Sequence, residues 1–361
     1  MNDGRHIDPS LGMLSGEGSQ QLVRQAPQAI EAPVDSSGAH PGEVTYYDRP
    51  VIKKSVWSWT IPAYYYVGGV SGGSAVLGAA ATLLGGRRMR QLAVRSRWIA
   101  TVGAGVSSAL LVHDLGRPGR FLYMLRVFRP TSPMSVGSWI LVGFSSAAGL
   151  SAVSTLRPWS RGIGDGAALA TGVLGLGLCG YTGVLVGNTV VPVWQRSHRW
   201  LPLLFMASAA SSAGSLLQLF ALNPAELRAA RMLGIAGQAA DLALSKVIDH
   251  SVSGDAAVAP LQQGLSGFLW KAGSVLTAAS LVCALLPSRS PGLRRCAGTL
   301  GTLGALCLRF GIHYAGQRSA MDPRATFQQQ RRGEGAFAST GQAAVVGPGD
   351  QRAFEPAGHN G

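Results

Sequence analysis

The stretch WTIPAYYYVGGVSGGSAVLGAAATLL, residues 59–84, decides the fold class of this chain. It is mostly apolar and contains no charged side chain. About 20 mostly apolar residues are enough for an α-helix to cross a lipid bilayer. Its many glycines fit that environment, because small residues let membrane helices approach one another closely. The stretch therefore predicts a transmembrane helix.

Similar apolar windows follow along the chain. Those predicted to span the membrane, counting the first, are 59–84, 98–113, 137–156, 167–190, 200–221, 265–286 and 296–315. A further window, 229–250, is amphipathic because it carries Gln238, Asp241, Lys246 and Asp249. It is either a span whose polar face lines the bundle interior or a helix that lies in the membrane interface.

The composition supports an all-α integral membrane protein. Of the 361 residues, 47% are hydrophobic and only 13% are charged, whereas a soluble domain carries roughly 25% charged residues. The ends of the chain are much more polar than its middle. We therefore predict disordered tails at 1–48 and 326–361 and a bundle of about eight transmembrane helices at 49–325. The N-terminal tail lacks the basic and apolar regions of a signal peptide.

The net charge of +14 comes mainly from arginine. These arginines lie between the apolar windows, which is typical of membrane topology and not of a nucleic-acid-binding surface. The loop after the first window carries five of them: Arg87, Arg88, Arg90, Arg95 and Arg97. The two sides of the membrane carry nearly equal numbers of basic residues, but the first helix usually sets the orientation. We therefore expect both termini outside the cytoplasm and no nucleic-acid partner.

The cysteines and histidines of this sequence do not have the spacing of a metal site. The cysteines lie apart, in or beside apolar windows, and form no CxxC pair: Cys179, Cys283, Cys296 and Cys307. This spacing argues against an iron–sulfur cluster, a zinc site or covalently attached haem, and favours buried structural thiols. His113, His198 and His313 lie at the ends of windows, which disfavours a haem held by two histidines within the bilayer. We expect no metal in this chain.

The most informative polar segment is HDLGRPGRF, residues 113–121, at the end of the second window. Acidic and basic side chains at a membrane boundary are costly unless they are paired or face water. Gly116 and Pro118 are expected to break the helix, which frees backbone groups to bond a ligand or a neighbouring helix. A salt-bridged helix end that only fixes a loop is the alternative. In the next segment, Ser135 is expected to cap a further helix.

Four groups of residues, in order along the chain, resemble signatures of the NrfD/polysulfide reductase membrane-subunit family. They are WSWTIPAY at 57–64, DLGRP at 114–118, SPMSVGSW at 132–139 with YTG at 181–183, and GQRSAMDP at 316–323. The resemblance implies an eight-helix subunit in the bacterial cytoplasmic (inner) membrane, and it favours a span at 229–250. Such subunits use menaquinone or ubiquinone and carry no haem or iron–sulfur cluster of their own.

The resemblance also implies partners and a site. Electrons would pass between the quinone pool and an iron–sulfur subunit, which connects to a molybdopterin or multihaem catalytic subunit. Asp114 would exchange protons beside the quinone, and Tyr181 would be a hydrogen-bonding neighbour of the ring. The wall of the site would be formed by Trp57, Trp59 and Tyr64. Relatives can place Asn or His near the start of the first helix, where this chain has Ser58, Trp59 and Thr60. The ligand of the second quinone oxygen is therefore left open.

Quinone chemistry needs the residue types that this segment supplies. Reduction consumes two electrons and two protons, so a site needs hydrogen-bond partners for both oxygens and a titratable relay. Asp114 and His113 can both titrate. Arg117 and Arg120 would either pair with Asp114 or bind the docked electron-transfer subunit.

A second polar group of residues lies in window 229–250. Asp241 and Lys246 either belong to a proton path inside the membrane or line the polar face of an interfacial helix. For the whole chain, a membrane transporter and a purely structural membrane anchor are the alternatives to a quinone-binding subunit. The sequence has no evident internal repeat, which disfavours a transporter.

Overall fold

The computed structural model describes residues 6–8, 13–15, 52–53, 55, 57–116, 119, 123, 125–156, 161–251, 259–286 and 290–322. The chain divides into two compact units, residues 1–45 and 46–361. In the first unit, strands β1 (His6–Asp8) and β2 (Met13–Ser15) pair antiparallel. Apart from these strands, the tails predicted at 1–48 and 326–361 lie outside the described residues, so their disorder stays a prediction.

The described part of the second unit is helical. Its long helices are α1 (Thr60–Leu84), α2 (Arg90–Asp114), α3 (Pro133–Val153), α4 (Arg161–Gly187), α6 (Leu201–Leu217), α7 (Pro224–Ser251), α9 (Gly264–Leu285) and α10 (Pro291–Ala320). Two short helices, α5 (Pro192–Arg196) and α8 (Ala259–Gln262), connect them. Single 3-10 turns lie at Gly86–Met89 and Ser154–Leu156. Every predicted window overlaps one long helix, so the helical fold of the predicted membrane region is confirmed.

Among the described residues, four helices are long and apolar enough to cross a membrane by length and composition: Thr60–Leu84, Pro133–Leu156, Gly162–Gly187 and Gly264–Leu285. Helix α6 is also apolar but has only 17 residues. Helices α2, α7 and α10 carry several charged side chains each, and this lowers their hydropathy. Several spans are therefore supported, whereas the number of eight stays a prediction.

Helix α1 lies at the centre of the bundle. It packs against α2, α4 and α6, while α6 also contacts α7 and α10, and α9 packs along α10. Small residues permit these contacts. A Cβ at Gly73 would lie 2.7 Å from the carbonyl oxygen of Ala209, and a Cβ at Gly214 would overlap the backbone of Gly234. The glycine content of the windows thus serves close helix packing.

Local chemistry sets the helix ends near the predicted motifs. Helix α2 ends at Asp114, and Gly116 adopts a φ of +66°, so the predicted break at this glycine is confirmed. The cap of α3 is Ser132, whose side chain accepts the N–H of Ser135. The expectation that Ser135 is the cap was wrong. Pro133 occupies the first helical position, where its missing N–H costs nothing, and this places the start one turn earlier.

Helix α7 begins with a reciprocal cap that ties it to α2. The side-chain oxygen of Asn223 accepts the N–H of Glu226 at 3.0 Å, and the Glu226 carboxylate accepts the N–H of Asn223 at 3.1 Å. The other Glu226 oxygen accepts the N–H of Leu92 at 2.9 Å. Glu226 is fully buried. The starts of α2 and α7 therefore lie together at the arginine-rich end of the bundle.

Candidate functional site

The carboxylate of Asp114 lies against the start of α1. Its Oδ1 accepts hydrogen bonds from the Ser58 N–H at 3.1 Å, the Ser58 hydroxyl at 2.6 Å and the Thr60 hydroxyl at 2.9 Å. Hydrogen bonds to an ionised acceptor are stronger than neutral ones. Ser58 and Thr60 therefore hold the predicted carboxylate. All three bonds go to one oxygen, so among the described residues Oδ2 is uncommitted.

A cluster of tyrosines lies deeper in the bundle, next to this carboxylate. Tyr64 and Tyr65 are 2% and 1% exposed, and their rings lie 6.0 Å apart. Tyr181 of α4 lies within electrostatic range of both, and Asp114 within range of Tyr65. A Cβ at Gly137 would overlap the phenol ring of Tyr181. Gly137 belongs to the segment SPMSVGSW, so three of the four motif groups meet here.

An aromatic cluster lies on the other side of the α1 start. The ring of Trp57 stacks on Trp194 at 5.7 Å and on His313 at 6.5 Å. Tyr65 contacts His313 edge-on at 6.4 Å. Gln317 donates to the carbonyl of Trp57 at 2.8 Å, and its amide nitrogen lies 3.1 Å from His313 Nε2. The fourth motif group, GQRSAMDP, thus joins the site through Gln317.

An open cavity reaches both groups of residues. It has a volume of about 520 Å³ and is lined by Lys53, Ser55, Trp57, Ser58, Trp59, Tyr314 and Gln317. Ser58 connects it to Asp114, and Gln317 connects it to His313. Its lining thus combines aromatic rings with hydrogen-bonding side chains.

The predicted site residues lie at different positions relative to the cavity and the two clusters. Tyr64 and Tyr181 belong to the tyrosine cluster, Asp114 is within electrostatic range of Tyr65 in that cluster, and Trp57 lies in the neighbouring aromatic cluster. Trp59 is 60% exposed at the cavity rim. His113 is exposed beside Asp114. Arg117 and Arg120 lie outside the described residues, so their pairing with Asp114 or with a partner subunit stays a prediction.

The second polar group is divided between two faces of α7. Asp241 is 1% exposed, whereas Lys246 is exposed. Gln238, one turn before Asp241, donates to the hydroxyls of Ser280 at 2.7 Å and Ser215 at 3.2 Å. The polar face formed by Gln238 and Asp241 therefore points into the bundle, as expected for the span interpretation of window 229–250. Lys246 does not share that face.

A buried arginine in α10 was not identified from the sequence. Arg309 of α10 is 1% exposed, donates to the carbonyl of Phe205 at 2.7 Å and lies 3.9 Å from the centre of the Phe205 ring. Asp241 and Tyr65 are within electrostatic range of its guanidinium. Its position as a single arginine in the middle of the apolar window 296–315 could have identified it from the sequence. His313, which was considered only as a haem ligand, was also missed as a site residue.

The cysteines are distributed differently from the expectation. Cys179 is buried, but Cys296 is exposed, so the expectation of buried thiols was wrong for Cys296. In a membrane protein the outer face of an apolar helix contacts lipid and need not be covered by protein.

Within the described ranges, no group of three or more His, Cys, Asp or Glu side chains could hold a metal ion.

Comparison with known proteins identifies the same family as the four sequence motifs. A family model described as polysulfide reductase, of the NrfD type, matches residues 44–323, which is most of the chain. Among curated proteins, none matches this sequence. The matched range includes all eight long helices and every described residue of the site. The chain therefore belongs to the polysulfide reductase family of NrfD-type membrane proteins.

Proposed function

We propose that this chain is the quinone-binding membrane subunit of a respiratory oxidoreductase complex. It passes electrons between the quinone pool, menaquinone or ubiquinone, and an iron–sulfur partner subunit. The observation that carries this proposal is the placement of Asp114: Ser58 and Thr60 hold one of its oxygens beside the cavity, and Tyr65 of the tyrosine cluster is within electrostatic range of it.

The residues around the cavity fit a quinone. A planar ring needs apolar or aromatic walls, and its two oxygens need hydrogen-bond partners at opposite edges. Trp57 lines the cavity as an aromatic wall, and Gln317 lines it on the α10 side with His313 behind it. The Tyr181 hydroxyl would be the donor on the α4 side for a ring that passes deeper than this lining. A bound quinone would supply the two-electron, two-proton chemistry.

Proton exchange is assigned to Asp114. Its Oδ1 is held by three donors, and Oδ2 is free among the described residues to take up or release a proton. His113 is exposed and adjacent in sequence, so it can pass the proton between the carboxylate and water. The roles of the two residues are thus distinct: Asp114 faces the ligand and His113 faces the aqueous edge.

A second proton route starts inside the bundle. Asp241 is buried near Arg309, and Arg309 is within electrostatic range of Tyr65 in the tyrosine cluster. Ionisable groups buried in membrane helices are costly and mark ion or proton paths. We assign Asp241 to such a path, with Arg309 as a charge within electrostatic range of it. Lys246 is exposed, so it would contact this path only at its end.

The partners and topology belong to the same proposal. An iron–sulfur subunit would dock at the Asp114 end, with Arg117 and Arg120 as charged contacts, and would connect to a molybdopterin or multihaem catalytic subunit. The eight long helices would all span the bacterial cytoplasmic membrane, and both termini would lie outside the cytoplasm. An even number of spans places the termini on one side.

Purification in mild detergent tests the proposal. We expect an iron–sulfur subunit to co-purify and solvent extraction to release about one quinone per chain. Tyr181→Phe should weaken quinone binding by about 1 kcal/mol, or about fivefold, because one hydrogen bond is lost. A chain that purifies alone and without quinone would support a transporter. A chain that purifies with its partner but binds no quinone would support a structural anchor.

A further inference from the structure

Two cavities open side by side at the arginine-rich end of the bundle, far from the site around Asp114. The first has a volume of about 670 Å³ and lies between the ends of α1 and α3 and the first turns of α2 and α4. The second, of about 530 Å³, lies between the first turns of α2 and α7. Arg87, Arg90 and Val94 line both cavities. We call the two together the paired cavity.

The acidic side chains of the paired cavity already have partners. Asp165 forms an ion pair with Arg97 in the first cavity. Glu226 accepts the N–H groups of Leu92 and Asn223 in the second. Glu226 keeps its negative charge, but each cavity is lined by three arginines and only one carboxylate, so both remain net positive.

The two arginines on the shared wall are exposed and uncompensated. Neither the Arg87 nor the Arg90 side chain forms an ion pair or hydrogen bond with another described residue. Arg95, in the second cavity, differs because it donates to the carbonyl of Ala221. The shared wall thus presents two guanidinium groups, the side chain best suited to bind phosphate with two parallel hydrogen bonds.

Exposed leucines lie at the helix ends that bound the first cavity. Leu83 and Leu84 at the end of α1 are 66% and 89% exposed, and Leu156 beside the first cavity is 67% exposed. Val94 continues this apolar surface one turn below Arg90. Exposed leucines beside a basic cavity at a helix end are suited to acyl chains below a phosphate headgroup.

We propose that the paired cavity binds a membrane lipid that carries two phosphates, of the diphosphatidylglycerol class. One phosphate occupies each cavity, Arg87 and Arg90 lie between them, and the acyl chains cover the exposed leucines. Two adjoining cavities on either side of one arginine pair match two linked phosphates better than one. Basic pockets between membrane helices are known to accept such headgroups. The site is separate from the quinone site and does not depend on it.

Lipid titration of the delipidated protein in detergent tests the proposal. The cavity variant is Arg87→Gln/Arg90→Gln. The matched control is Arg228→Gln/Arg295→Gln, which removes the same charge from exposed positions outside both cavities. Native mass spectrometry counts the bound lipids, and the melting temperature reports their effect. The probes are diphosphatidylglycerol, phosphatidylglycerol and pyrophosphate.

We expect the unmodified protein to retain one diphosphatidylglycerol per chain with a raised melting temperature, and phosphatidylglycerol to bind more weakly. The cavity variant should bind diphosphatidylglycerol about tenfold or more weakly, whereas the control variant should bind it normally. Equal loss in both variants would mean that overall charge attracts the lipid, and it would overturn the site. Equal stabilisation by pyrophosphate would overturn the lipid assignment. Unchanged melting temperatures without lipid establish that both variants are folded.

Discussion

Replacing Asp114 with asparagine removes a charge and changes the shape of the side chain very little. Asparagine keeps an oxygen that can accept the three hydrogen bonds from Ser58 and Thr60. Its amide group replaces Oδ2, the oxygen that we assign to proton exchange. Asp114→Asn should therefore leave α1 and α2 connected and abolish proton transfer at the site.

The expected magnitudes for Asp114→Asn follow from these contacts. A hydrogen bond to a charged acceptor contributes about 1 kcal/mol more than a neutral one. For the three bonds to Oδ1 the loss of stability should therefore be at most about 3 kcal/mol. Loss of a positioned acid or base lowers turnover by about 100-fold to 10,000-fold. Turnover should thus fall much more than the amount of assembled complex.

Thr60→Val is the matched control. It removes one of the three hydrogen bonds to Asp114 and keeps the carboxylate and the side-chain volume. We expect a stability loss of about 1 to 2 kcal/mol and turnover within about tenfold of the unmodified complex. If Asp114 had only a structural role, both variants would lose stability, Asp114→Asn more than Thr60→Val, and neither would lose turnover per assembled complex.

The assay is quinol oxidation by the reconstituted complex, divided by the amount of complex that assembles. Asp114→Asn should be nearly inactive per assembled complex, and Thr60→Val should remain active. Normal turnover per complex in Asp114→Asn would refute the role of the carboxylate. Loss of assembly in both variants, with normal turnover in what remains, would instead support a structural contact between α1 and α2.

Further changes probe other parts of the molecule. Gly137→Ala should lower quinone binding at least tenfold because its Cβ overlaps the ring of Tyr181, whereas Gly149→Ala, which faces open space in the same helix, should bind quinone normally in the same titration. Asp241→Asn should lower quinone-linked turnover per assembled complex, since asparagine cannot carry the proton that we assign to Asp241; normal turnover per complex would contradict that role. Reporters fused at Ser36 and Arg90 should label opposite membrane faces, and a cytoplasmic signal at Ser36 would reverse the topology. Absorption spectra of the purified chain should contain no Soret band, and one haem per chain would contradict this expectation.

Apolar windows predicted the helices well because a lipid environment leaves few alternatives. A backbone in hydrocarbon must satisfy its own hydrogen bonds, so a long apolar run has to be helical. Window 229–250 was the least certain because its polar side chains are compatible with two environments. Only the packing against neighbouring helices placed Gln238 and Asp241 inside the bundle.

The contacts of the site were harder to predict than its residues. Asp114 was identified from its motif, but its donors lie more than 50 positions earlier in the chain. Sequence patterns do not specify which helices become neighbours. Arg309 and His313 were missed for the same reason: in an apolar window, a single polar residue on the inner face cannot be distinguished from one at the edge. Helix packing supplies that distinction.

The bond from Leu92 to Glu226 has a consequence for biogenesis. The two residues are 134 positions apart in sequence. At about 5 to 20 residues per second, a ribosome needs roughly 7 to 27 s to make the intervening chain. During that interval the N–H of Leu92 has no carboxylate to bind and must remain hydrated. The amino-terminal end of α2 therefore stays in contact with water at the membrane interface until α7 has been synthesised. The Leu92 N–H is buried only when Glu226 binds it.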